Sequence, residues 1–446
     1  MQKVVTENGI TLLVHSDPRF HSVAYAVCLL GGLSDETPES VGITHFLEHL
    51  LFKRTKELST QQIACAIDEL GGDVNAFTDF DSMCLFGTVP SSRADRLMDF
   101  VAGLLLDAAF DDQDLEVERE VIRQEIFEAH DNPGDALYQK LCSVLWSESI
   151  FRFPVFGTLE VLAELKREDI FARLKQLLHG KRLLIAAAGN VSVEEVKAHV
   201  VRSYGKLPPG ETIKIEPPKQ GSGFALVDRP VRQVYVALAN RFPSLRDTEY
   251  PSALVASMAL GDGMSSRLFR QLREERGLAY DVAAQVDSFS VASTLLVSAT
   301  VEPHAVPTVL ELVLGELEKV RKDSFETQEI ERVVAMVTAQ LEMEGDSVSS
   351  LLWRAIETEL YFGNYVSPEE AVKIYQKIDP SQVAAVVQRY FDSENIDSEN
   401  IEPKSPAARN LPSIVLGGDV SAVDLAAVRM VLERFGMAAE VVSNLN

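Results

Sequence analysis

Long apolar runs are missing from this sequence. None reaches the roughly 18 residues that a helix needs to cross a bilayer, so no membrane partner is expected. The opening stretch MQKVVTENGITLLVHSD has no charged-then-apolar layout of the kind a signal peptide shows, and a cytoplasmic location is the resulting expectation. Cysteine is sparse. Cys28, Cys65, Cys84 and Cys142 fall in the first third of the chain and no two form a CxxC pair. They read as reduced, mostly buried small hydrophobes. Cations are outnumbered: Lys+Arg is 42 against Asp+Glu 67, a net charge of −25. That argues against a nucleic-acid partner and for a solvated acidic exterior. No GxSxG elbow is present, and GDGMSS (261–266) lacks the GK[ST] ending of a phosphate loop, which leaves serine-nucleophile and nucleotide chemistry without a local signature.

What is present points to two domains, since 446 residues exceed one ordinary core. Residues 2–16 and 22–32 are rich in β-formers and read as strands. The pattern turns helical from Ser40 to about Phe52 and again over 60–70, which stops at Gly71-Gly72. VNAFTDFDSMCLFGTV alternates like a strand. Residues 91–108 and 111–129 read as helices, the second with an Asp at its start as a cap. Between 206 and 223, KLPPGETIKIEPPKQGSG holds four prolines and three glycines and reads as a linker. The two halves echo each other. LLIAAAGNVSVEEVKAHVV and SIVLGGDVSAVDLAAVRMV are each a strand, a turn and a helix, with Ser192/Glu195 and Ser421/Asp424 resembling capping boxes. QVYVALANRF similarly parallels SVAYAVCLLGG. The expected fold is α+β, two similar domains (1–207 and 224–446), each an antiparallel-rich sheet flanked by helices, joined by a Pro/Gly-rich linker at 208–223. The polar, Pro-containing stretch 392–412 reads as an exposed loop.

Chemistry concentrates in GITHFLEHLLFKRT (42–55). On a helix His45, Glu48 and His49 stand at i, i+3 and i+4 and share a face. Two imidazoles one turn apart can grip one Zn²⁺, and a carboxylate between them can hold a water. Catalytic zinc usually takes three protein ligands, so a third is needed elsewhere. In DDQDLEVEREVIRQEIFEA (111–129), Glu118, Ile122 and Glu125 share one face, and Val117, Val121 and Ile126 suggest a helix packed inward. A carboxylate facing inward is costly unless paired or bound to metal. Two other readings stand beside this one: a solvated surface helix, which Phe46, Leu47, Leu50, Leu51 and Phe52 disfavour, and buried polar pairs without metal.

HxxEH is the inverted zinc motif of the inverzincins. The chain resembles the pitrilysin/insulinase-type metallopeptidases, in particular the shorter bacterial and mitochondrial-processing-peptidase-like members. HFLEHLLFKRT is similar to the zinc helix of that family, and Glu125, 76 positions beyond His49 in VIRQE, stands where the family has its third ligand. The resemblance therefore implies His45, His49 and Glu125 as ligands of one zinc per chain. It implies Glu48 as the catalytic base and Glu118 as a supporting acid beside the site. Gly71–Thr78 resembles the family's GGxxNAxT segment, whose edge strand pairs with the substrate backbone, which implies Asn75, Ala76 and Phe77 as substrate-binding. SSRLFRQLREERGLAYDV resembles the other family signature, whose Arg and Tyr, here Arg273 and Tyr280, bind substrate and the reaction centre. The likeness covers roughly residues 1–390. The family usually has Gly where Arg54 stands, and Thr and Tyr where Ser82 and Cys84 stand; Arg54 and Cys84 would then bear on substrate fit.

The implied activity is a zinc endopeptidase acting on peptides or unfolded segments, with Glu48 moving the proton. A non-catalytic partner subunit of the same fold and a zinc enzyme of another class are the competing readings. A complete metal set disfavours the first, and the Arg/Tyr element disfavours the second. Longer relatives close a chamber with four domains in one chain, so a two-domain chain is expected to form a homodimer, or a heterodimer with a related subunit.

Overall fold

The computed structural model describes residues 1–391 and 412–437. The stretch expected to be an exposed loop, 392–412, lies outside them apart from its last residue. The chain divides into two compact units. The first comprises residues 1–128, 153–216 and 341–370; the second comprises 129–152, 217–340 and 371–446. This division is interleaved where the sequence suggested a single cut at 208–223. Residues 206–223 carry no helix or strand, and one boundary between the units falls inside them.

The first unit holds a six-stranded sheet: β1 (Gln2–Val5), β2 (Thr11–Ser16), β3 (Ser22–Leu30), β4 (Asp73–Thr78), β5 (Ser82–Pro90) and β6 (Leu183–Gly189), in the order β1-β2-β6-β3-β5-β4. The expected strand 2–16 is a hairpin, β1 with β2, turning at Thr6–Ile10. The expected strand after Gly72 is a second hairpin, β4 with β5. Its turn is made by Asp79, whose Oδ1 accepts from the amides of Asp81 (2.7 Å) and Ser82 (2.6 Å), a side-chain mimic of a backbone turn that alternation alone does not reveal.

Strand periodicity explains both faces of this sheet. Val23, Tyr25, Val27 and Leu29 enter one core with α1 (Ile43–Leu51), α2 (Thr60–Leu70), α3 (Ala94–Leu106) and α4 (Asp112–Asp131). Ala24, Ala26 and Cys28, with Ala186 and Ala188, enter a second core against the helix Val348–Phe362. A sheet covered on both sides reads as continuous apolar strands, and β6, LLIAAAG, is buried throughout. Cys28 and Cys84 are direct cross-strand partners and are joined by a disulfide. The reading of all four cysteines as reduced is corrected accordingly: Cys142 is free and buried, and Cys65 is free and exposed. The pairing of Cys28 with Cys84 follows from register, which brings residues 56 positions apart face to face.

The second unit holds a five-stranded sheet, β7 (Phe224–Asp228), β8 (Val234–Phe242), β9 (Ala279–Ser288), β10 (Ser293–Val301) and β11 (Ser413–Gly418), ordered β7-β11-β8-β10-β9. The helix α5 (Pro133–Leu145), which follows directly on α4 in sequence, packs against β11, β8 and β7 in this unit. The helix Val348–Phe362, from the later half, packs against β6, β3 and β2 in the first. Each half thus lends a helix to the other's sheet. The capping expectations divide: Ser192 and Glu195 form the reciprocal box, whereas Asp424, not Ser421, caps the helix Leu425–Arg434 by accepting from Ala427 N at 2.9 Å. No helix among the described residues is long and apolar enough to cross a membrane.

Candidate metal centre

Helix α1 begins at a tight turn. Gly42 sits at φ 88°, and a side chain there would meet the backbone of Phe156 and Gly157 at 2.7 Å. Having no side chain, Gly42 cannot cap the helix, and the cap comes from Glu36. One carboxylate oxygen accepts from Gly42 N (2.7 Å) and the other from Thr44 N (2.9 Å), where the orphan amides and the helix dipole favour negative charge. Burial pushes the Glu36 carboxyl up, against hydrogen bonds from Thr44 and Gly42 and the charge of Arg173. Arg173, itself buried, donates to Thr44 Oγ1 (3.0 Å), Asp35 Oδ2 (2.8 Å) and Gly31 O (2.7 Å). No short-range signal marks Glu36 or Arg173, because each acts on a segment remote in sequence or outside the helix.

Five apolar residues of α1 and Thr44 are buried, which leaves His45, Glu48 and His49 on the remaining stripe. The two imidazole centroids are 4.7 Å apart. Glu125 of α4 faces both: His45 Nε2 to Glu125 Oε2 is 3.7 Å, and His49 Nε2 to Glu125 Oε1 is 3.5 Å. One ligand atom from each of the three falls within 4.8 Å of the others. The side chains of His45 and His49 are 17% and 18% exposed and that of Glu125 is 40% exposed, so the site is open on one side.

The expectation that Val117 and Val121 face inward is not met; they are 51% and 40% exposed. The buried face of α4 is Leu115, Glu118, Ile122 and Ile126, with Asp114 at its start. The cap expected there is Asp111, whose Oδ1 accepts from Gln113 N (3.0 Å) and Asp114 N (2.9 Å).

Glu118 is almost fully buried. It accepts from His49 Nδ1 at 3.0 Å and pairs with Lys53. Burial pushes its carboxyl up, but the hydrogen bonds from His49 and Lys53 and the charge of Lys53 outweigh it and hold the group below the ordinary carboxylate range. An ionised Glu118 holds a proton on Nδ1 of His49 and so turns Nε2 toward Glu125. Burial and the neighbouring His49 depress His45 to about 3, so this imidazole is neutral, and its Nδ1 has no partner among the described residues. Burial raises Glu125, against the attraction of His49. Burial lowers His49, but the hydrogen bond to Glu118 and the charges of Glu125, Glu118 and Glu48 outweigh it and raise the group, which makes its Nε2 a strong base that a cation would hold in place of a proton. Two imidazoles and a carboxylate that lacks a full counter-charge form the donor set of a three-ligand zinc site. The residues therefore fit the metal that the motif implied.

Glu48 is not among the three. Its Oε2 accepts a 2.6 Å hydrogen bond from the hydroxyl of Thr78 at the end of β4, and burial raises its carboxyl against that bond. Thr78 was legible as part of a motif, but its partner was not. Asn75, Ala76 and Phe77 lie on β4 at the end of the sheet order, with Asn75 exposed and Ala76 buried. Phe77, Phe86 and Trp353 pack as an aromatic trio with centroids 5.2–5.9 Å apart. Arg54 is directed at α4, not at open space: its Nε donates to Asp114 Oδ2 at 2.9 Å. In the second unit, Arg273 lies on an irregular π-helical turn, Phe269–Glu274. Its guanidinium stands 5.0 Å from the Tyr280 ring centroid, and Tyr280 is 77% exposed.

The family model described as Insulinase (Peptidase family M16) matches residues 11–158, and that described as Peptidase M16 inactive domain matches residues 164–337. An uncharacterized zinc protease of Mycobacterium tuberculosis (strain ATCC 25618 / H37Rv) is 31% identical over 420 residues, 92% of this chain and 95% of the relative. One of Rickettsia bellii is 29% identical over 392 residues, covering 87% and 94%. Among solved structures, a protease from Helicobacter pylori superposes with a TM-score of 0.82 at 19% identity, covering 93% of this chain and 98% of that one. A peptidase M16 inactive domain from Pseudomonas fluorescens does so with a TM-score of 0.83 at 17% identity, covering 94% and 97%. These two structures bear on the fold alone.

Proposed function

The chain belongs to peptidase family M16, the insulinase family, and from that premise and the geometry of its first unit we propose that it is a zinc-dependent endopeptidase. The observation that carries the reading is the convergence of His45, His49 and Glu125 from two helices, with Glu48 held beside them and outside the ligand set. His45, His49 and Glu125 would hold one zinc. The metal, when bound, supplies Lewis acidity, polarising a carbonyl and making water nucleophilic near neutral pH.

The remaining chemistry belongs to the protein. Glu48 takes a proton from the attacking water and returns it to the leaving amine. Its raised carboxyl brings it nearer the operating pH, where a group exchanges protons in both directions. Thr78 fixes one oxygen of that carboxylate and so orients the other. Strand β4 ends its sheet and can accept a peptide as an added strand, which aligns the scissile bond through main-chain hydrogen bonds with little side-chain selectivity. Arg273 and Tyr280 are assigned to substrate binding by the resemblance.

The test is metal analysis with a peptide-library digest. The purified protein is expected to hold about one zinc per chain and to cleave peptides. The His45→Ala/His49→Ala protein is expected to lose both properties. Zinc content unchanged by that double substitution would overturn the metal assignment, and a zinc-loaded wild type that cleaves no peptide would identify a non-catalytic subunit.

A further inference from the structure

The ligands sit on two helices that are distant in sequence, and something must hold those helices in register. Immediately after α1, the backbone runs beside the segment that leads into α4. Thr55 and Ala108 form an isolated bridge, and Ala109 N donates to Arg54 O at 3.0 Å. Two consecutive side chains of this segment then grip one face of α4. Arg54 donates through Nε to Asp114 Oδ2 (2.9 Å) and lies 3.2 Å from Asp111 Oδ2, while Lys53 pairs with Glu118. Asp114 and Glu118 are one turn apart on α4, and Glu125 follows two turns further on the same side.

We propose that Lys53 and Arg54 form a two-point clasp that positions the metal site, Arg54 by fixing the start of α4 and hence Glu125, Lys53 by holding Glu118 against His49. The proposal rests on reading His45, His49 and Glu125 as the metal site. Burial argues that the contacts are tight. The carboxylates are 11% and 3% exposed, against 41% for Arg54 and 25% for Lys53. A buried carboxylate that loses its cation must find another partner or protonate. For Glu118 the remaining partner is His49, whose orientation it sets. Asp114 is also built into the first turn of α4 through its exchange of hydrogen bonds with Asp111. Releasing Arg54 therefore loosens the end of the helix from which Glu125 is measured. Partners of this kind, one step removed from a metal, typically change metal affinity by about 10–100-fold.

Zinc affinity of the full chain, measured by competition with a chromophoric chelator, tests the clasp without reference to turnover. Arg54→Ala and Lys53→Met are each expected to weaken zinc binding by about tenfold, and Lys53→Arg to restore it. A double-mutant cycle separates positioning from general loosening. Arg54→Ala should have no further effect on zinc affinity in a Glu125→Gln background, and Lys53→Met none in a Glu118→Gln background. Equal loss in both backgrounds, or no loss in either, overturns the proposal. If Arg54→Ala does not fold, the exchange Arg54→Asp/Asp114→Arg keeps the ion pair; it should bind zinc near wild-type affinity where Asp114→Arg alone does not, and failure of that rescue is equally fatal. A wild type that binds no zinc would instead strike the metal assignment itself.

Discussion

The two units are built on one strand order and differ in what they hang on it. β2-β6-β3-β5-β4 in the first corresponds to β7-β11-β8-β10-β9 in the second. In each, the first pair runs parallel and the rest antiparallel. Gly189 closes β6 at φ 119° and Gly418 closes β11 at φ 123°; the first accepts from Asp17 N and the second from Arg229 N, both at 2.9 Å. The units diverge in the excursion after the central strand. After β3 the chain forms α1, apolar on one side and carrying His45, Glu48 and His49 on the other. After β8 it forms the helix Tyr250–Gly261, where Ser252, Ala253 and every residue from Val255 to Gly261 are buried. A helix apolar all round is a core element. The second unit therefore buries the position at which the first presents His45, Glu48 and His49, and the family model matched over residues 164–337 carries the words inactive domain. The same frame supports both uses, since chemistry lies in the side chains placed on it.

Removing the proton-carrying carboxylate should silence the chemistry proposed for the first unit. Glu48→Gln is expected to retain zinc and to lower peptide hydrolysis by about 10²–10⁴-fold, the usual reach of a general base. Wild-type turnover in that variant would show that Glu48 is not the base. The shared frame can be challenged at its matched glycines. A Cβ on Gly189 would lie 2.2 Å from Ser22 O, and one on Gly418 would lie 2.1 Å from Gln233 O. With φ positive as well, each Gly→Ala change is expected to cost at least about 2 kcal/mol in urea unfolding. If only one of the pair destabilises, the structural equivalence of the units fails at that point.

Thr78 sharpens the contrast more gently. Thr78→Val leaves the Glu48 carboxylate without its hydroxyl donor and is expected to lower turnover by about tenfold, in line with the loss of one hydrogen bond to a charged group. Unchanged kinetics would mean that Glu48 is oriented by other contacts. The smallest effect concerns Asp17, whose place beside the closing glycine is taken in the second unit by Arg229. Hydrogen bonds from the Arg19 side chain and backbone hold the Asp17 carboxyl at about 2. Its folded-state value lies below its unfolded one, so its stabilisation is complete above about pH 4 and is lost as the pH falls toward 2. Asp17→Asn should accordingly be slightly less stable than wild type at neutral pH and indistinguishable near pH 2, when unfolding is followed at both. A gap that stayed constant with pH would remove the ion pair as its cause.

Much of this was readable in the chain. A run rich in β-formers marked β3, and helical patterning marked α1, α2 and α4. The echo between LLIAAAGNVS and SIVLGGDVS is the echo between β6 and β11, and that between SVAYAVCLLGG and QVYVALANRF is the echo between β3 and β8. The failures have physical causes. The turn at Asp79 is made by a side chain and leaves the alternation of β4 and β5 unbroken. Val117 and Val121 look like core residues, yet the inward face of α4 is set by where Glu118 and Ile122 must go.

By itself the sequence determined the local half of the site. His45, Glu48 and His49 share a face because 3.6 residues make a turn, whatever surrounds the helix. It also determined which segments alternate and which are buried on both sides. Tertiary structure alone decided the rest. It decided that Cys28 meets Cys84, that Glu36 and not a neighbour of Gly42 caps α1, that the two halves exchange a helix, and that Lys53 and Arg54 reach Glu118 and Asp114. Glu36 reaches α1 from outside the helix, and the others join residues far apart along the chain. Such pairings depend on register and on how elements pack, and no spacing within a single element encodes them.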